Sequence, residues 1–410
     1  MKQFINVKKL LLALCLFGVS LFSFAEEQDS IVSVKSQESG NTLMSRLQQA
    51  QAYLDSAASK KVDPRYIEVP AKPWRVILRY KMNGVDVDYE SRYNEPEKGE
   101  YADWTMNFDP STAHSIGFWV GYRGTGISYS KALAKNAGRY FSFSSTGAKY
   151  GINFRLRRFK TDETELHVKE FKDDQQYRDS AVYVKMYEPV IIRSVYINGY
   201  YVFNGRRYSQ AAAYNQSVIQ RRSAGSFLLG ATWYQSSFDF SDSKNFGWMN
   251  LSHGVGRIKL HQASIGVGYG YNFVPFRGFV VNAMAMPTVS FYNRVKLYKY
   301  DFNYDFSDPD GKPEDYGTWN PQTKTWANGK THKSIYYLED INDVQGWETG
   351  TETEYGALKF NLDLRLGMAY NWSNYFIGLQ AQFNSFAYKK DYSQVTLFDW
   401  YARASFGIRL

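Results

Sequence analysis

The chain has 410 residues and a formal net charge of +9 at pH 7. Aromatic residues make up 18% of it, while its mean hydropathy of −0.47 is that of a polar protein. A bundle of transmembrane helices is excluded, because no run of about 18 apolar residues follows the first 25 positions. The composition suits a fold whose apolar residues are spaced singly along strands.

The first 25 residues have the features of a secretory signal peptide. A basic start precedes an apolar stretch at 10–22 and a small-x-small cleavage site at 23–25, so we predict cleavage after Ala25. The only cysteine of the sequence, Cys15, lies in this segment. The mature chain would therefore have neither disulfides nor thiol chemistry. What remains is a soluble exported protein or a closed β-barrel in a membrane.

A polar segment over residues 26–65 follows the signal peptide. Within it, residues 41–60 place Leu43, Leu47 and Leu54 on one helical face. This spacing predicts a short periplasmic helix that leads into the main body of the protein.

From Trp74 onward the apolar period changes to two, which is the period of a β-strand. In the last strand Phe398, Trp400, Ala402, Ala404, Phe406, Ile408 and Leu410 alternate with Asp399, Tyr401, Arg403, Ser405, Gly407 and Arg409. Residues 74–82, 262–273 and 358–372 repeat the pattern. Long strands with charged or glycine-rich polar faces favour a membrane barrel, with its apolar faces outward, over a β-sandwich. We predict an all-β protein: an antiparallel transmembrane β-barrel of about 10–12 strands at residues 66–410, with a short N-terminal helical extension.

The strand candidates set the expected size of the barrel. Ten stretches qualify: 74–82, 114–130, 139–158, 188–203, 225–240, 257–274, 277–300, 356–372, 374–390 and 395–410. Residues 101–108 and one strand within 206–219 would bring the total to twelve, and bacterial single-chain barrels have even numbers of strands. Residues 370–376 resemble a short periplasmic turn. Residues 303–353 lack apolar periodicity and predict a long extracellular loop.

Several stretches resemble domain-of-unknown-function family 4421, exported proteins found mainly in Bacteroidota. They are "SIGFWVGYRGTGISYS" (115–130), "TGAKYGINFRLRRF" (146–159), "GYYVFNGRRYSQAAAYNQSVIQRRSAGSFLLGA" (199–231), "SIGVGYGYNFVPFRGFVVNAMAMP" (264–287) and "LDLRLGMAYNWSNYFIGLQ" (362–380). The resemblance spans about residues 66–410 in order. It implies an outer-membrane-type β-barrel and carries no assigned reaction.

Charged residues supply the candidate site. Two arginine pairs flank residues 208–220, and polar strand faces supply two aspartates and two further arginines. The candidate lumen residues are Arg206, Arg207, Arg221, Arg222, Arg365, Asp363, Arg403 and Asp399. They could form a basic constriction that faces anions. Alternatively, the arginines pair with the aspartates or with carbonyls in a filled lumen, or contact lipid phosphates at a rim. The run "RLRRFK" at 155–160 is expected to contact lipid headgroups.

These observations favour a non-enzymatic protein of the cell outer membrane. It would be structural, an interaction platform built on loop 303–353, or a narrow channel for small or anionic solutes. The alternatives are a lipid-modifying barrel enzyme with His261 or His114 as general base, and a secreted soluble β-protein. No motif for a cofactor, a metal or nucleic acid is present. The expected partners are outer-membrane lipids, small solutes or an extracellular ligand at the loop.

Overall fold

The computed structural model of this chain describes residues 49, 52, 54–56, 62–95, 100–108, 112–133, 139–305, 316–356, 358–390 and 393–410. The predicted signal peptide and most of the polar segment lie outside the described residues. Of that segment, residues 49, 52 and 54–56 are helical, and Asp55 accepts a hydrogen bond from Nε of Arg123 at 2.6 Å. Among the described residues, no helix is long and apolar enough to cross a bilayer.

Strands make up most of the described chain. They are β1 (Ile67–Glu68), β2 (Trp74–Glu95), β3 (Glu100–Phe108), β4 (Ala113–Tyr122), β5 (Thr125–Ala132), β6 (Arg139–Thr146), β7 (Tyr150–Lys172), β8 (Gln175–Val202), β9 (Ile219–Gln220), β10 (Ala224–Asp239), β11 (Val255–Phe273), β12 (Phe279–Phe302), β13 (Tyr304–Asp305), β14 (Trp319–Asn320), β15 (Thr325–Trp326), β16 (Lys333–Ser334), β17 (Gly346–Tyr355), β18 (Lys359–Trp372), β19 (Tyr375–Lys390) and β20 (Ser393–Arg409). Short helices lie at Ala211–Tyr214 and Phe246–Leu251, with 3-10 turns at Ser243–Asn245, Ile335–Tyr337 and Ile341–Asp343.

Twelve of these strands close into an antiparallel barrel. The order is β2-β4-β5-β6-β7-β8-β10-β11-β12-β18-β19-β20, and β20 pairs with β2 to complete the ring. Closure leaves no strand edge, so every backbone donor and acceptor in the membrane has a partner, as lipid requires. The predicted transmembrane barrel is confirmed, with a strand number at the upper end of the expected range.

The twelve strands are not the twelve that the sequence patterns predicted. Stretch 114–130 is two strands, β4 and β5, joined by a two-residue turn in which Arg123 has a φ of 51°. Stretch 139–158 contains β6 and the first part of β7. Residues 101–108 do form a strand, but β3 pairs with β2 and β7 beyond the ends of β4–β6. No strand crosses the barrel within 206–219.

The apolar face of a barrel strand changes side along its length. On β11, Ile265 and Val267 are more than half exposed and face outward, while Gln262 is buried inside. Nearer the start of the strand, Ile258 and Leu260 are buried inside instead. A strand in lipid exposes its apolar face, whereas one in water buries it. The reversal therefore marks where the barrel leaves the bilayer.

The same reversal divides the barrel interior into two layers. On β2, Arg79 and Lys81 are buried inside the membrane layer, whereas Val85 and Val87 are buried above it. The upper residues belong to a large hydrophobic core that also includes Leu397 of β20. The interior is thus polar within the membrane and apolar above it.

The two ends of the barrel differ in their connections. Tight turns such as 373–374 lie at one end, which we take as periplasmic from the usual asymmetry of these barrels. At the other end, the described residues of 303–353 form a folded cap. Trp326 of this cap is 7% exposed and joins the upper core, and β17 extends the sheet by pairing with β12. The predicted extracellular loop is therefore a packed structure.

Candidate functional site

Residues 203–223, here called the plug, fold into the barrel from the periplasmic end. They connect the end of β8 to the start of β10. Their helix, Ala211–Tyr214, buries its three alanines almost completely. Below it, β1 pairs with β9, and Ile67 packs against Val218 of the plug. The lumen is therefore filled at this level, and the segment does not cross the barrel as a strand of its wall.

A chain segment before β2 seals the plug from the periplasmic side. The backbone N–H of Asp63 donates to the carbonyl of Arg206 at 2.9 Å. The carboxylate of Asp63 accepts from Nε and Nη2 of Arg65 at 3.0 and 2.9 Å. These hydrogen bonds lower the pKa of Asp63 to about 2, because they stabilise the ionised form.

The barrel wall has amides and glycines that fit the plug. Nδ2 of Asn272 on β11 donates to the carbonyl of Ser209 at 2.8 Å and to Oε1 of Gln220 at 2.9 Å. A Cβ at Gly367 would lie 3.3 Å from the Cβ of Ala213, and one at Gly378 would be similarly close to the plug. The glycines thus allow close approach of the plug backbone.

Three wall arginines bind the carbonyls that follow the plug helix. Nη2 of Arg403 donates to the carbonyl of Tyr214 at 3.0 Å, and Nη2 of Arg409 donates to that of Gln216 at 3.1 Å. Arg75 donates to the carbonyl between them. The last carbonyls of a helix have no partner within it. These arginines, together with Nε2 of Gln380 on the carbonyl of Tyr214, supply the donors that such buried carbonyls need.

Four of the eight predicted lumen residues lie in the interior. Nη2 of Arg365 contacts Oδ2 of Asp363 at 2.5 Å and Oδ1 of Asn198 at 2.8 Å. Asp399 pairs with Arg157 across the lumen. Arg403 binds the plug, as described above. The charges are therefore partly paired, which is one of the two alternatives that the sequence left open.

The other four, Arg206, Arg207, Arg221 and Arg222, are not in the lumen, and this expectation needs correction. All four are exposed at the periplasmic mouth, where Nη2 of Arg221 contacts Oε2 of Glu68 at 2.9 Å. The physical reason is the plug itself. The arginine pairs flank the segment that enters the barrel, so they remain at the point where the chain enters and leaves it.

The interior has a large excess of positive charge that the predicted set underestimated. Among the described residues, the buried cations of the barrel are Arg75, Arg79, Lys81, Arg155, Arg157, Arg365 and Arg409, and the buried carboxylates are Asp363 and Asp399. The run 155–160 was expected at lipid headgroups, yet Arg155 and Arg157 are buried, and the exposed cations of the run are Arg158 and Lys160. The alternation of side chains along a strand could have predicted this, because residues 155 and 157 share one face of the strand and residue 158 lies on the other.

A cavity, here called the vestibule, lies above the membrane layer. It has a volume of about 1000 Å³ and lies between the sheet of β3, β7 and β8, the helix Phe246–Leu251 and the cap. Its apolar lining includes Trp104, Met106, Leu166, Val168, Phe246, Trp248, Ile335, Leu338 and Ile341. Lys185 and Lys244 also line it. Its size is at the upper end of the range for small-molecule pockets.

Two of the histidines, His114 and His332, have neighbours that can be described. Nδ1 of His114 lies 2.6 Å from Oη of Tyr80 on the outer face, whereas the neighbouring Ser115 is buried inside. His332 in the cap lies 2.9 Å from Oδ1 of Asp301. Within the described part of the chain, no group of three or more His, Cys, Asp or Glu residues could hold a metal ion.

A family model described as a domain of unknown function (DUF4421) matches residues 61–408. The chain belongs to the DUF4421 family. The match covers the whole barrel, the plug and the cap. No curated protein matches the chain.

Three solved structures that are similar to this DUF4421 barrel have low sequence identity to it. The translocator domain of the autotransporter NalP from Neisseria meningitidis has 8% identity and a TM-score of 0.28, over 90% of this chain and 98% of that one. The outer membrane protease OmpT from Escherichia coli has 8% identity and a TM-score of 0.29, over 82% and 97%. The P. putida toluene transporter TodX has 8% identity and a TM-score of 0.25, over 87% and 94%. At these TM-scores the likenesses support no argument about function.

Proposed function

We propose that this DUF4421 protein is a closed barrel of the outer membrane that binds a ligand at its extracellular end. The exposed apolar band and the unequal connections at the two ends support an outer-membrane-type barrel. The vestibule is the single observation that carries the binding function. Large apolar pockets with a few polar groups are the usual form of small-molecule sites.

Three layers block the bore below the vestibule. The plug and the segment under it fill the periplasmic end. Buried arginines, aspartates and amides occupy the middle of the interior. The upper hydrophobic core lies above them. A solute would have to displace all three layers to cross the barrel. Ligand binding therefore fits this arrangement better than transport does.

The vestibule favours an apolar or amphipathic ligand with a negative end. Its walls are aromatic and aliphatic, so most of a ligand would gain stability from loss of contact with water, at about 25 cal/mol per Å². Lys185 and Lys244 would face the charged end. Each contacts a carboxylate, Asp162 at 3.7 Å and Glu188 at 3.1 Å, and a ligand anion would share these lysines. A long-chain fatty acid is a suitable probe of this class.

The experiment is photolabelling of the protein in lipid nanodiscs with a diazirine fatty acid, followed by mapping of the labelled peptides. We expect saturable label on peptides of β3 and of the helix Phe246–Leu251. Ala102→Trp fills the vestibule from β3 and should reduce that label at least fivefold. Tyr183→Trp is the matched control, because Tyr183 is 81% exposed on the outer surface. Label confined to the lipid-facing band, or unaffected by Ala102→Trp, would overturn the proposal.

A narrow channel for small anions is the second candidate function, favoured by the excess of buried cations in the lumen. The closed state should be silent in planar bilayers. Steady anion-selective openings of the wild-type protein would instead favour the channel. Arg221→Ala together with Arg222→Ala would then test whether the exposed arginines at the mouth attract the anions.

A further inference from the structure

A small cavity lies within the membrane layer, between the plug and the barrel wall. Its volume is about 60 Å³. One water needs about 10–15 Å³ of such space, so the cavity has room for several waters or for one small polyatomic ion. It is separate from the vestibule and shares no lining residue with it.

Polar atoms without partners converge on this cavity. Arg155 is 4% exposed, and its Nε, Nη1 and Nη2 all lack a hydrogen-bond partner. Nε of Arg79 and Nε of Arg403 also lack one. The plug contributes the side-chain amide of Gln210 and the hydroxyl of Tyr214, both unpartnered. All five residues line the same cavity. Buried donors without an acceptor are destabilising.

The charge of the lining is one-sided. Arginines 79, 155, 365 and 403 line the cavity, and no aspartate or glutamate does. Of these, Arg365 has a carboxylate partner in Asp363. The guanidinium of Arg155 lies over the ring of Tyr196, 3.8 Å from its centroid. Stacking of this kind uses the face of the guanidinium and leaves its N–H edges free to bind an acceptor.

We propose that this cavity binds one small inorganic oxyanion of the phosphate or sulfate type. Guanidinium groups match such ions because their N–H pairs can donate to two oxygens at once. An amide N–H and a hydroxyl can donate to the remaining oxygens. The wall and the plug together line the site, and its volume of about 60 Å³ is too small for a lipid headgroup with its attached chains, so the ion is a free one.

The site has a consequence for the plug. Arg79, Arg155 and Arg403 belong to the wall, whereas Gln210 and Tyr214 belong to the plug. An anion bound between them connects the two parts and neutralises charge that would otherwise be repulsive. Because the anion binds only the plugged state, it stabilises that state.

The experiment measures retention of phosphate by the mature barrel. The urea-unfolded protein is refolded in detergent with radiolabelled inorganic phosphate, and bound label is counted after gel filtration, since an enclosed ion exchanges slowly. We expect about one phosphate per barrel, competed by sulfate but not by chloride at equal ionic strength. Arg155→Gln should lower retention at least tenfold, because it removes the charge and three of the five N–H donors. Arg158→Gln, on the outward face of the same strand, should leave it unchanged.

A second variant tests the same cavity with a smaller change, made on the plug side. Tyr214→Phe removes only a hydroxyl and should lower retention severalfold, with folding checked by the heat-dependent gel mobility of the barrel. Absence of saturable retention by the wild type would show that water alone fills the cavity and would overturn the proposal. Equal competition by chloride, or unchanged retention in folded Arg155→Gln and Tyr214→Phe, would also overturn it.

Discussion

An engineered disulfide tests the position of the plug directly. The only cysteine of the sequence, Cys15, lies in the predicted signal peptide, so a protein expressed from Glu26 onward has no competing thiol. A Cβ at Gly367 on β18 would lie 3.3 Å from the Cβ of Ala213 in the plug helix. Disulfides need about 3.5–4.5 Å between these atoms. We therefore expect Ala213→Cys with Gly367→Cys to form a disulfide after a shift of a few tenths of an ångström.

The size of the expected stabilisation follows from the length of the closed loop. Residues 213 and 367 are separated by about 150 positions, and a cross-link of this span lowers the entropy of the unfolded chain enough to contribute about 5 kcal/mol. Strain from the short Cβ separation would reduce this value. The midpoint of urea unfolding should still rise clearly in the oxidised protein and return to the wild-type value on reduction.

The assay is mass spectrometry of the cross-linked peptide from oxidised, folded barrels. Leu366→Cys paired with Ala213→Cys is the matched control, since Leu366 is one residue away and 59% exposed on the lipid face. Because neighbours on a strand point to opposite sides, the control pair should keep free thiols. Free thiols in the Gly367 variant, or equal cross-linking in both variants, would refute the position of the plug.

Three further outcomes are expected. Asn272→Leu removes two buried hydrogen bonds between the wall and the plug and should lower the free energy of unfolding by about 1–3 kcal/mol in urea titrations; an unchanged midpoint would contradict the contact. The pKa of Asp63 is about 2, so its stabilising effect is present above the unfolded value of about 4 and is lost as pH falls through 2. Protease cleavage of the segment below the plug should therefore be constant from pH 8 to 4, and Arg65→Gln should raise this pKa in a carboxyl NMR titration. Trp326→Ala should destabilise the cap by about 3–5 kcal/mol, seen as proteolysis of the cap around Tyr316 with the barrel intact, and a resistant cap would contradict its packing.

The barrel could be predicted because its signal is local. Alternation at 262–273 and 395–410 can be read within one strand, and lipid requires that the apolar face of each strand point outward. The reversal of the apolar face on β11 was also present in the sequence, between Leu260 and Ile265. It marks the edge of the bilayer, and it places an apolar core above the membrane.

The roles of individual arginines could not be predicted in the same way. The pairs beside residues 208–220 are conspicuous in the sequence, but they lie in a segment without periodicity, which has no defined face. Arg155 and Arg157 are less conspicuous, yet strand geometry turns them into the lumen. Whether the arginines of a basic run face the lumen or the outside can therefore be predicted only after the strand that contains the run has been assigned.

The sequence by itself determined the β-class, the membrane-facing pattern and the long segment 303–353 without apolar periodicity, because each depends on residues close together in the chain. Only the tertiary structure decided that residues 203–223 fill the lumen. Their carbonyls are bound by Arg75, Arg403 and Arg409, which lie roughly 140–190 positions away in the chain and meet the plug only once β2 and β20 have closed the barrel. Contacts between residues so far apart in the chain depend on the closed ring. They produce no periodic pattern in the sequence of the plug.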